Sequence, residues 1–214
     1  MENLNHYSKT ELSKFLRHVL KSCDPTYSLF DRGFHFPTPP VKAAILVPFA
    51  FVRKQWSLLF IQRSIAKDPH SGQVAFPGGR IEPGEPSPET TSLREAQEEI
   101  GLSPEDVEIV GKLPPLLTVT NYEIHPIVGI IPYPYPFQPS QSEVQKIFTI
   151  PLDWLANAAN YRVEERHLPP PVGKVPTIYY RPYKAEILWG ASAQIVHTML
   201  RLINAQASSI LDEA

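Results

Sequence analysis

Cysteine is almost absent from this chain of 214 residues, whose single cysteine is Cys23. One cysteine cannot form an intramolecular disulfide, which excludes a small secreted scaffold held together by disulfides. Long apolar runs are also missing. The longest covers residues 43–52, is interrupted by Pro48 and falls short of the roughly 20 residues that a membrane-spanning helix needs. We therefore expect a soluble protein in which Cys23 is a partly buried apolar residue.

An excess of charge of either sign is lacking too, since the formal net charge is −2 at pH 7. Without a basic surface the chain has no long-range attraction for nucleic acid or for an anionic membrane, and neither is expected as a partner. The first residues contain neither a basic segment followed by an apolar core nor an Arg-rich amphipathic leader. No targeting signal is predicted, and a cytoplasmic location is expected. The oligomeric state stays open, with a homodimer as one alternative.

Proline, by contrast, is abundant, with 24 residues and clusters at 37–40, 132–139 and 169–171. Scattered clusters of this kind are typical of loops around a packed core. The length suits one domain with its own core. We predict an N-terminal extension of helix and loop at residues 1–40, the main domain at residues 41–207, and a short tail at residues 208–214.

Hydrophobic periodicity predicts both helices and strands. The predicted helices are one that begins at Ser8 or Thr10 and ends near Cys23, one at residues 87–100, a short one at 151–159 and a last one at 191–207. The predicted strands lie at residues 41–52, 57–62, 73–76, both ends of 107–119, 124–131, 147–150, 161–166, 177–180 and 185–189. The first two strands are joined by a turn at residues 53–55. Elements mixed in this order predict a sheet covered by helices.

The helix predicted at residues 87–100 has clear signals at both ends. Ser87 is a good N-cap, Pro88 suits the first helical position, and Gly101 is placed to end the helix. At about 100° per residue, Leu93, Ala96 and Ile100 lie on one side, which is expected to pack inward.

Three glutamates, Glu95, Glu98 and Glu99, lie together on the opposite side of this helix and are expected to face outward. Like charges at this spacing repel, and anions near the C-terminal end of a helix are disfavoured by its dipole. A divalent cation would reverse this repulsion, and the glycine turn at residues 77–79 brings backbone carbonyls close. The pattern predicts a site for Mg²⁺ or Mn²⁺. A solvated acidic helix face is the alternative.

Gly79, Glu85 and residues 94–102 together resemble the Nudix box, the signature of hydrolases that cleave nucleoside diphosphates linked to another moiety. The resemblance implies an α/β/α sandwich with a mixed central sheet and extra N-terminal and C-terminal helices. It also implies that Glu95, Glu98, Glu99 and the carbonyl of Gly79 hold the metal ion, and that one glutamate orients the attacking water. Arg94 would point off the acidic face and pair with a carboxylate. Eight residues separate Glu85 from Arg94, one more than in the usual pattern.

Further segments are similar to the coenzyme A diphosphatase subfamily, which also has the eight-residue spacing; they are residues 58–59, 62–64, 70–79, 113–116, 126–129, 142–144, 150–152 and 188–193. The resemblance implies cleavage of coenzyme A into 4′-phosphopantetheine and adenosine 3′,5′-bisphosphate. It makes Arg63, Gln73 and His70 candidate substrate contacts; ordinary surface residues at a strand edge are the alternative for Arg63 and Gln73. Glu143 is a candidate general base or extra metal ligand, with an exposed loop carboxylate as the alternative.

Two positions depart from the subfamily pattern. Phe60 stands within a stretch where the subfamily has leucine and threonine, and Asp68 stands where it has a second arginine. An aspartate repels an anionic substrate, whereas an arginine attracts it. Asp68 thus favours a second hypothesis, hydrolysis of another nucleoside diphosphate derivative such as ADP-ribose or reduced NAD. A third hypothesis is a Nudix-fold binding module without turnover.

Overall fold

The computed structural model describes residues 4–21, 36–65 and 72–212, with side chains up to residue 206. Eight strands form the main sheet: β1 (Val41–Val52), β2 (Gln55–Arg63), β3 (Val74–Ala75), β4 (Gly78–Arg80), β5 (Glu108–Lys112), β6 (Leu116–Leu117), β7 (Tyr122–Ile130) and β8 (Val144–Pro151). Strands β9 (Tyr161–His167) and β10 (Lys174–Tyr180) pair in a second, two-stranded sheet.

The main sheet is mixed. Strand β1 pairs with β7 in parallel and with β2 and β4 antiparallel. On its other side β2 pairs with β8, while β5 and β6 both pair with β7. The β1–β2 hairpin turns through Arg53 and Lys54, which both have positive φ, as a two-residue turn matched to the strand twist requires. Strand β1 thus lies at the centre of the main sheet.

Helices cover both faces of this sheet, as alternate strand residues show. Leu46 and Ala50 of β1 pack with Ala96 and Ile100 of α2 (Pro88–Ile100). Val47, on the opposite face of the same strand, packs in the larger core with the other three helices, which are α1 (Lys9–Lys21), α3 (Leu152–Ala156) and α4 (Gly190–Asp212). The predicted sandwich with a mixed central sheet is confirmed. In the described ranges no helix has the length and apolarity that crossing a membrane requires.

Helices α1 and α2 begin as their sequences indicate, and α2 also ends as predicted. Helix α1 starts with a reciprocal capping pair, in which Ser8 and Glu11 each accept a hydrogen bond from the other's backbone N–H. At α2, the Ser87 side chain accepts from the backbone N–H of Thr90. Gly101 adopts a left-handed conformation with φ 68° and donates its N–H to the last turn, which satisfies carbonyls that would otherwise lack partners.

Three predicted elements differ from the structure. Residues 77–79 were expected to form a turn, but Gly78 and Gly79 belong to strand β4, because Gly78 without a side chain can approach Ala44 and Ile45 of β1 closely. The segment predicted as a strand at residues 185–189 begins in a tight turn at Lys184 and Ala185, both with positive φ, and pairs, among the described residues, only through isolated bridges at Glu186 and Trp189. Helix α4 continues to Asp212, beyond the predicted end at residue 207. Cys23 and most of the loops predicted at residues 24–40 and 65–71 lie outside the described residues.

Candidate active site

Arg94 of helix α2 connects the helix to the loop that precedes it. Its Nε donates to Glu85 Oε1 at 2.9 Å, and one terminal nitrogen lies 3.0 Å from Glu95 Oε1 and 2.8 Å from Glu98 Oε2. Its other terminal nitrogen donates to the carbonyl of Arg80. The expectation that Arg94 points off the acidic face is therefore wrong, because this long side chain curls back to reach acids on its own helix.

Glu85 is held in place for this pairing despite the extra residue before Arg94. Its Oε2 accepts hydrogen bonds from the backbone N–H of Glu82 and from the hydroxyl of Thr91. The hydrogen bond from Arg94, followed by that from Thr91, lowers the pKa of Glu85 to about 2. These contacts stabilise the ionised form of Glu85. Its ion pair with Arg94 therefore connects the preceding loop to helix α2.

We expect Glu85→Gln to lower the free energy of unfolding by on the order of 1–3 kcal/mol at pH 7, because Arg94 loses its partly buried counter-charge. A depressed pKa contributes stability above the usual value of 4.5 and loses it as pH falls toward about 2. The difference between wild type and variant should therefore be largest above about pH 5 and shrink below it. Urea unfolding at pH 7, 5 and 3 measures this. A difference that stays constant with pH would show that Glu85 acts through packing alone.

Glu99 is almost completely buried, with 3% of its surface exposed. Its Oε2 accepts a hydrogen bond of 2.9 Å from the backbone N–H of Gly78, and its Oε1 lies 3.8 Å from a terminal nitrogen of Arg63. Burial raises the pKa of Glu99 to about 7, although the Gly78 N–H and Arg63 act in the opposite direction. The expectation that all three helix glutamates face outward is wrong for Glu99, because strand β4 closes over that edge of the helix.

Glu95 lies directly against Gly79 of strand β4. A Cβ atom added at Gly79 would come within 2.7 Å of both carboxylate oxygens of Glu95, closer than real Cβ contacts allow. Burial raises the pKa of Glu95, with Arg94 opposing this shift and the charges of Glu98 and Glu143 adding to it. Glycine at position 79 is thus what allows this carboxylate to lie beside the strand.

The third helix glutamate, Glu98, has a different environment. Its side chain is 56% exposed and its described contact is the ion pair with Arg94. The acidic stripe predicted from the helical wheel therefore divides into a buried member, Glu99, a mostly buried member, Glu95, and an exposed member, Glu98.

Glu143 approaches the helix acids from another part of the chain. It is exposed and lies just before β8, where its carbonyl accepts from the backbone N–H of Ser64 at 2.8 Å. Its negative charge raises the pKa of both Glu95 and Glu99, which requires that it lie within electrostatic range of both. The fold thus brings a loop carboxylate to the acidic helix.

The proline-rich segment at residues 132–140 packs on the end of α2. The backbone N–H groups of Gln138 and Ser140 donate to the carbonyls of Ile100 and Glu99, each at 2.9 Å, and supply partners for the last carbonyls of the helix. A Cβ at Gly101 would collide with Gln138. Sequence reasoning missed this role, because backbone hydrogen bonds from a distant loop have no signature in residue type.

Two of the three substrate contacts predicted from the sequence, Arg63 and Gln73, lie in the described residues. Arg63 ends strand β2, and its backbone N–H donates to the carbonyl of Gln73 at 3.0 Å. The two residues are therefore neighbours at the edge of the acid cluster. His70 and Asp68 lie outside the described residues.

The donor set fits a divalent cation by its chemistry. The negative charges of Glu95, Glu99 and Glu143 lie close enough to act on one another, and Glu99 is also desolvated. A hard cation that takes carboxylate oxygens as ligands would offset both the repulsion and the cost of burying this charge. Within residues 4–21, 36–65 and 72–212, no three acid, histidine or cysteine side chains converge on a common point as they stand. Glu95 and Glu98 are turned toward Arg94, so holding a cation requires them to rotate.

A family model described as the NUDIX domain matches residues 40–167 of the chain. The chain belongs to the Nudix family. The uncharacterized Nudix hydrolase NudL of Escherichia coli K12 is 37% identical over 158 residues, which cover 74% of this chain and 80% of the relative. The protein of the same description from Shigella boydii serotype 18 has the same identity and coverage.

Solved structures with similar folds are more distant in sequence. The Ap4A hydrolase of C. elegans, in a binary complex, is 24% identical with a TM-score of 0.46 and covers 52% of this chain and 80% of its own. A MutT/nudix family protein from Enterococcus faecalis is 16% identical with a TM-score of 0.49 and covers 92% of this chain and 75% of its own.

Membership makes this protein a Nudix hydrolase acting on a nucleoside diphosphate derivative. Nudix hydrolases generally use a divalent metal ion, typically Mg²⁺ or Mn²⁺. The family match includes strand β4, helix α2 and the Glu143 loop. The helices α1 and α4 lie wholly outside it, and they pack on the sheet face opposite α2.

Proposed function

We propose that this Nudix hydrolase cleaves the diphosphate of coenzyme A or its derivatives into 4′-phosphopantetheine and adenosine 3′,5′-bisphosphate. The observation that carries the proposal is the proximity of two motifs. Arg63, in the segment that resembles the coenzyme A diphosphatase signature, lies 3.8 Å from Glu99 of the Nudix box. A cation from one motif beside the acids of the other suits a substrate whose diphosphate lies between them.

The helix acids are assigned to metal binding. Glu95, Glu98 and Glu99, with the carbonyl of Gly79, would hold Mg²⁺ or Mn²⁺. When bound, such an ion neutralises phosphate oxygens and lowers the pKa of a coordinated water. Arg94 pairs with Glu95 and Glu98 in the metal-free protein and is assigned no contact with the substrate. Its pairing with Glu85 keeps helix α2 against the preceding loop.

Glu143 is proposed as the general base. It is exposed, and its charge acts on both Glu95 and Glu99, so a water near those acids is within the region that its carboxylate can serve. The oxygen of that water forms a bond to one phosphorus, the bond from that phosphorus to the bridging oxygen breaks, and Glu143 takes the proton of the water. Arg63 balances the charge on the phosphate oxygens, with Gln73 beside it.

One sequence feature favours a second substrate class. Asp68 stands at the sequence position where the coenzyme A diphosphatase subfamily has a second arginine, and coenzyme A carries a 3′-phosphate in addition to its diphosphate. ADP-ribose and reduced NAD lack that phosphate and suffer less repulsion from an aspartate. Hydrolysis of such a nucleoside diphosphate derivative is the alternative.

A substrate panel distinguishes between these two proposed substrate classes. Purified protein with Mn²⁺ or Mg²⁺ is offered coenzyme A, an acyl-coenzyme A, ADP-ribose and reduced NAD, and the products are identified by mass spectrometry. The proposal expects the highest kcat/KM for coenzyme A or its thioester, with both named products in equal amounts. A kcat/KM higher for ADP-ribose or reduced NAD would replace it with the alternative.

Glu98→Gln is expected to lower kcat by about 100-fold, since a metal ligand contributes several kcal/mol of charge stabilisation. The fold should be kept, because the side chain is exposed and its lost pairing with Arg94 is a surface pair. Steady-state kinetics with a circular dichroism spectrum test both points. Glu105→Gln, at an exposed glutamate outside the cluster, is the matched control. A near-normal rate in Glu98→Gln would remove Glu98 from the site.

A further inference from the structure

Arg63 is aimed at Glu99 by its position at the end of strand β2. Its backbone N–H donates to the carbonyl of Gln73, and its own carbonyl accepts from the N–H of Gly72. The pairing of β2 with β8 shifts register between Gln62 and Arg63, an irregularity of the kind that redirects a side chain. With its backbone held on one side and the register changed on the other, Arg63 directs its guanidinium toward the acid cluster.

Two different anions require this guanidinium. Glu99 is 3% exposed and, among the described residues, Arg63 is its ion-pair partner, while Arg94 is taken by Glu85, Glu95 and Glu98. A substrate phosphate arriving at the same edge needs a cation as well. Arg63 is a third exposed, so its head group can turn outward from Glu99.

We infer that Arg63 exchanges one anionic partner for another. In the metal-free protein it pairs with Glu99, and it pairs with the substrate phosphate once a divalent cation has replaced Arg63 at Glu99. The inference rests on the proposed function for the metal site and deepens it. A divalent cation bound to the Glu99 carboxylate neutralises it and repels the Arg63 guanidinium, so the ion pair between the two side chains is lost. Binding of the cation thereby prepares the phosphate contact, so cation and substrate bind with positive coupling.

Replacing Arg63 should therefore strengthen the binding of Mn²⁺ and raise the KM for the substrate. In Arg63→Gln, Mn²⁺ alone is expected to bind about fivefold more tightly than in wild type, because it no longer competes with an internal cation. In saturating Mn²⁺, the KM of the same variant for its diphosphate substrate should rise at least about tenfold, because the phosphate loses a charged partner. Isothermal titration with Mn²⁺ and no substrate gives the first quantity, and steady-state kinetics give the second.

The controls separate this exchange from a general charge effect. Arg162→Gln removes an arginine that is paired with Glu164 in the second sheet and should change neither quantity. Arg63→Lys keeps the charge and should bind Mn²⁺ nearly as wild type does. Arg63→Met, which keeps most of the aliphatic stem, replaces the glutamine variant in the titration if that variant does not fold.

Unchanged or weaker Mn²⁺ binding in the neutral variants would overturn the inference, even with a raised KM, since Arg63 would then contact substrate only. The Mn²⁺ titration uses no substrate, so it stands apart from the choice between coenzyme A and another diphosphate. If wild type binds Mn²⁺ yet hydrolyses a different member of the panel, the proposed substrate fails while the exchange is still tested on the substrate found. If wild type binds no Mn²⁺, both fail.

Discussion

Replacing Glu99 by glutamine is expected to lower kcat by about 1,000-fold, the largest effect among the helix acids, because Glu99 is the buried member of the proposed metal ligands and no solvent can substitute for its charge. The melting temperature of the metal-free variant should equal or exceed that of wild type. A buried carboxylate is costly to ionise, whereas a glutamine of the same shape keeps its oxygen as acceptor for the Gly78 N–H.

Thermal unfolding with and without Mn²⁺ provides the decisive comparison for Glu99. Wild type should be stabilised by the ion through mass action, and Glu99→Gln should respond much less. Glu105→Gln, at an exposed position, should retain both the rate and the stabilisation. If Glu99→Gln kept near-normal turnover, or if its metal-free form melted many degrees lower than wild type, Glu99 would be a structural residue instead.

Gly79→Ala is expected to lower kcat by about 100-fold or more while leaving most of the stability. The added Cβ would overlap the carboxylate of Glu95, and Glu95 must then move away from strand β4, where it and the Gly79 carbonyl are proposed to hold the metal ion together. The backbone of Gly79 does not require a positive φ, so alanine adds no backbone strain there. Steady-state kinetics and urea unfolding measure the two effects.

A double-mutant cycle tests whether the effect passes through Glu95. In a Glu95→Ala background the overlap disappears, and adding Gly79→Ala should cause little further loss of kcat. Fully additive losses would mean that Gly79 acts independently of Glu95, for example through its carbonyl. A loss of folding in Gly79→Ala but not in the double variant would still assign the overlap to Glu95.

Local signals were enough to predict helix α2. Ser87, Pro88 and Gly101 act on backbone groups within a turn of themselves, so residues 87–100 could be read as a helix, and the structure places it at Pro88–Ile100. The inward face was also predictable from Ala96 and Ile100. Element order predicted a sheet covered by helices, and the resemblance to the Nudix box implied both the family and the mixed sheet.

The helical wheel could not distinguish Glu98 from Glu99. Both lie close to Glu95 around the helix axis, yet one side chain is 56% exposed and the other is buried. The difference arises because strand β4 packs along one edge of the acidic stripe, and its Gly78 N–H turns toward Glu99. Strand pairing of this kind depends on contacts between distant segments, which periodicity within one segment does not report.

Residue types and their spacing established which chemical groups are present: a helix with three glutamates, a glycine pair before it, and an arginine and a glutamate elsewhere in the chain. The folded chain was needed to learn that Arg63 of β2 contacts that helix, that the charge of the loop carboxylate Glu143 acts on it, and that Glu99 is the acid withdrawn from water. Residue type and spacing act locally along the chain. Burial and ion pairing are set by the sheet that brings separated segments together.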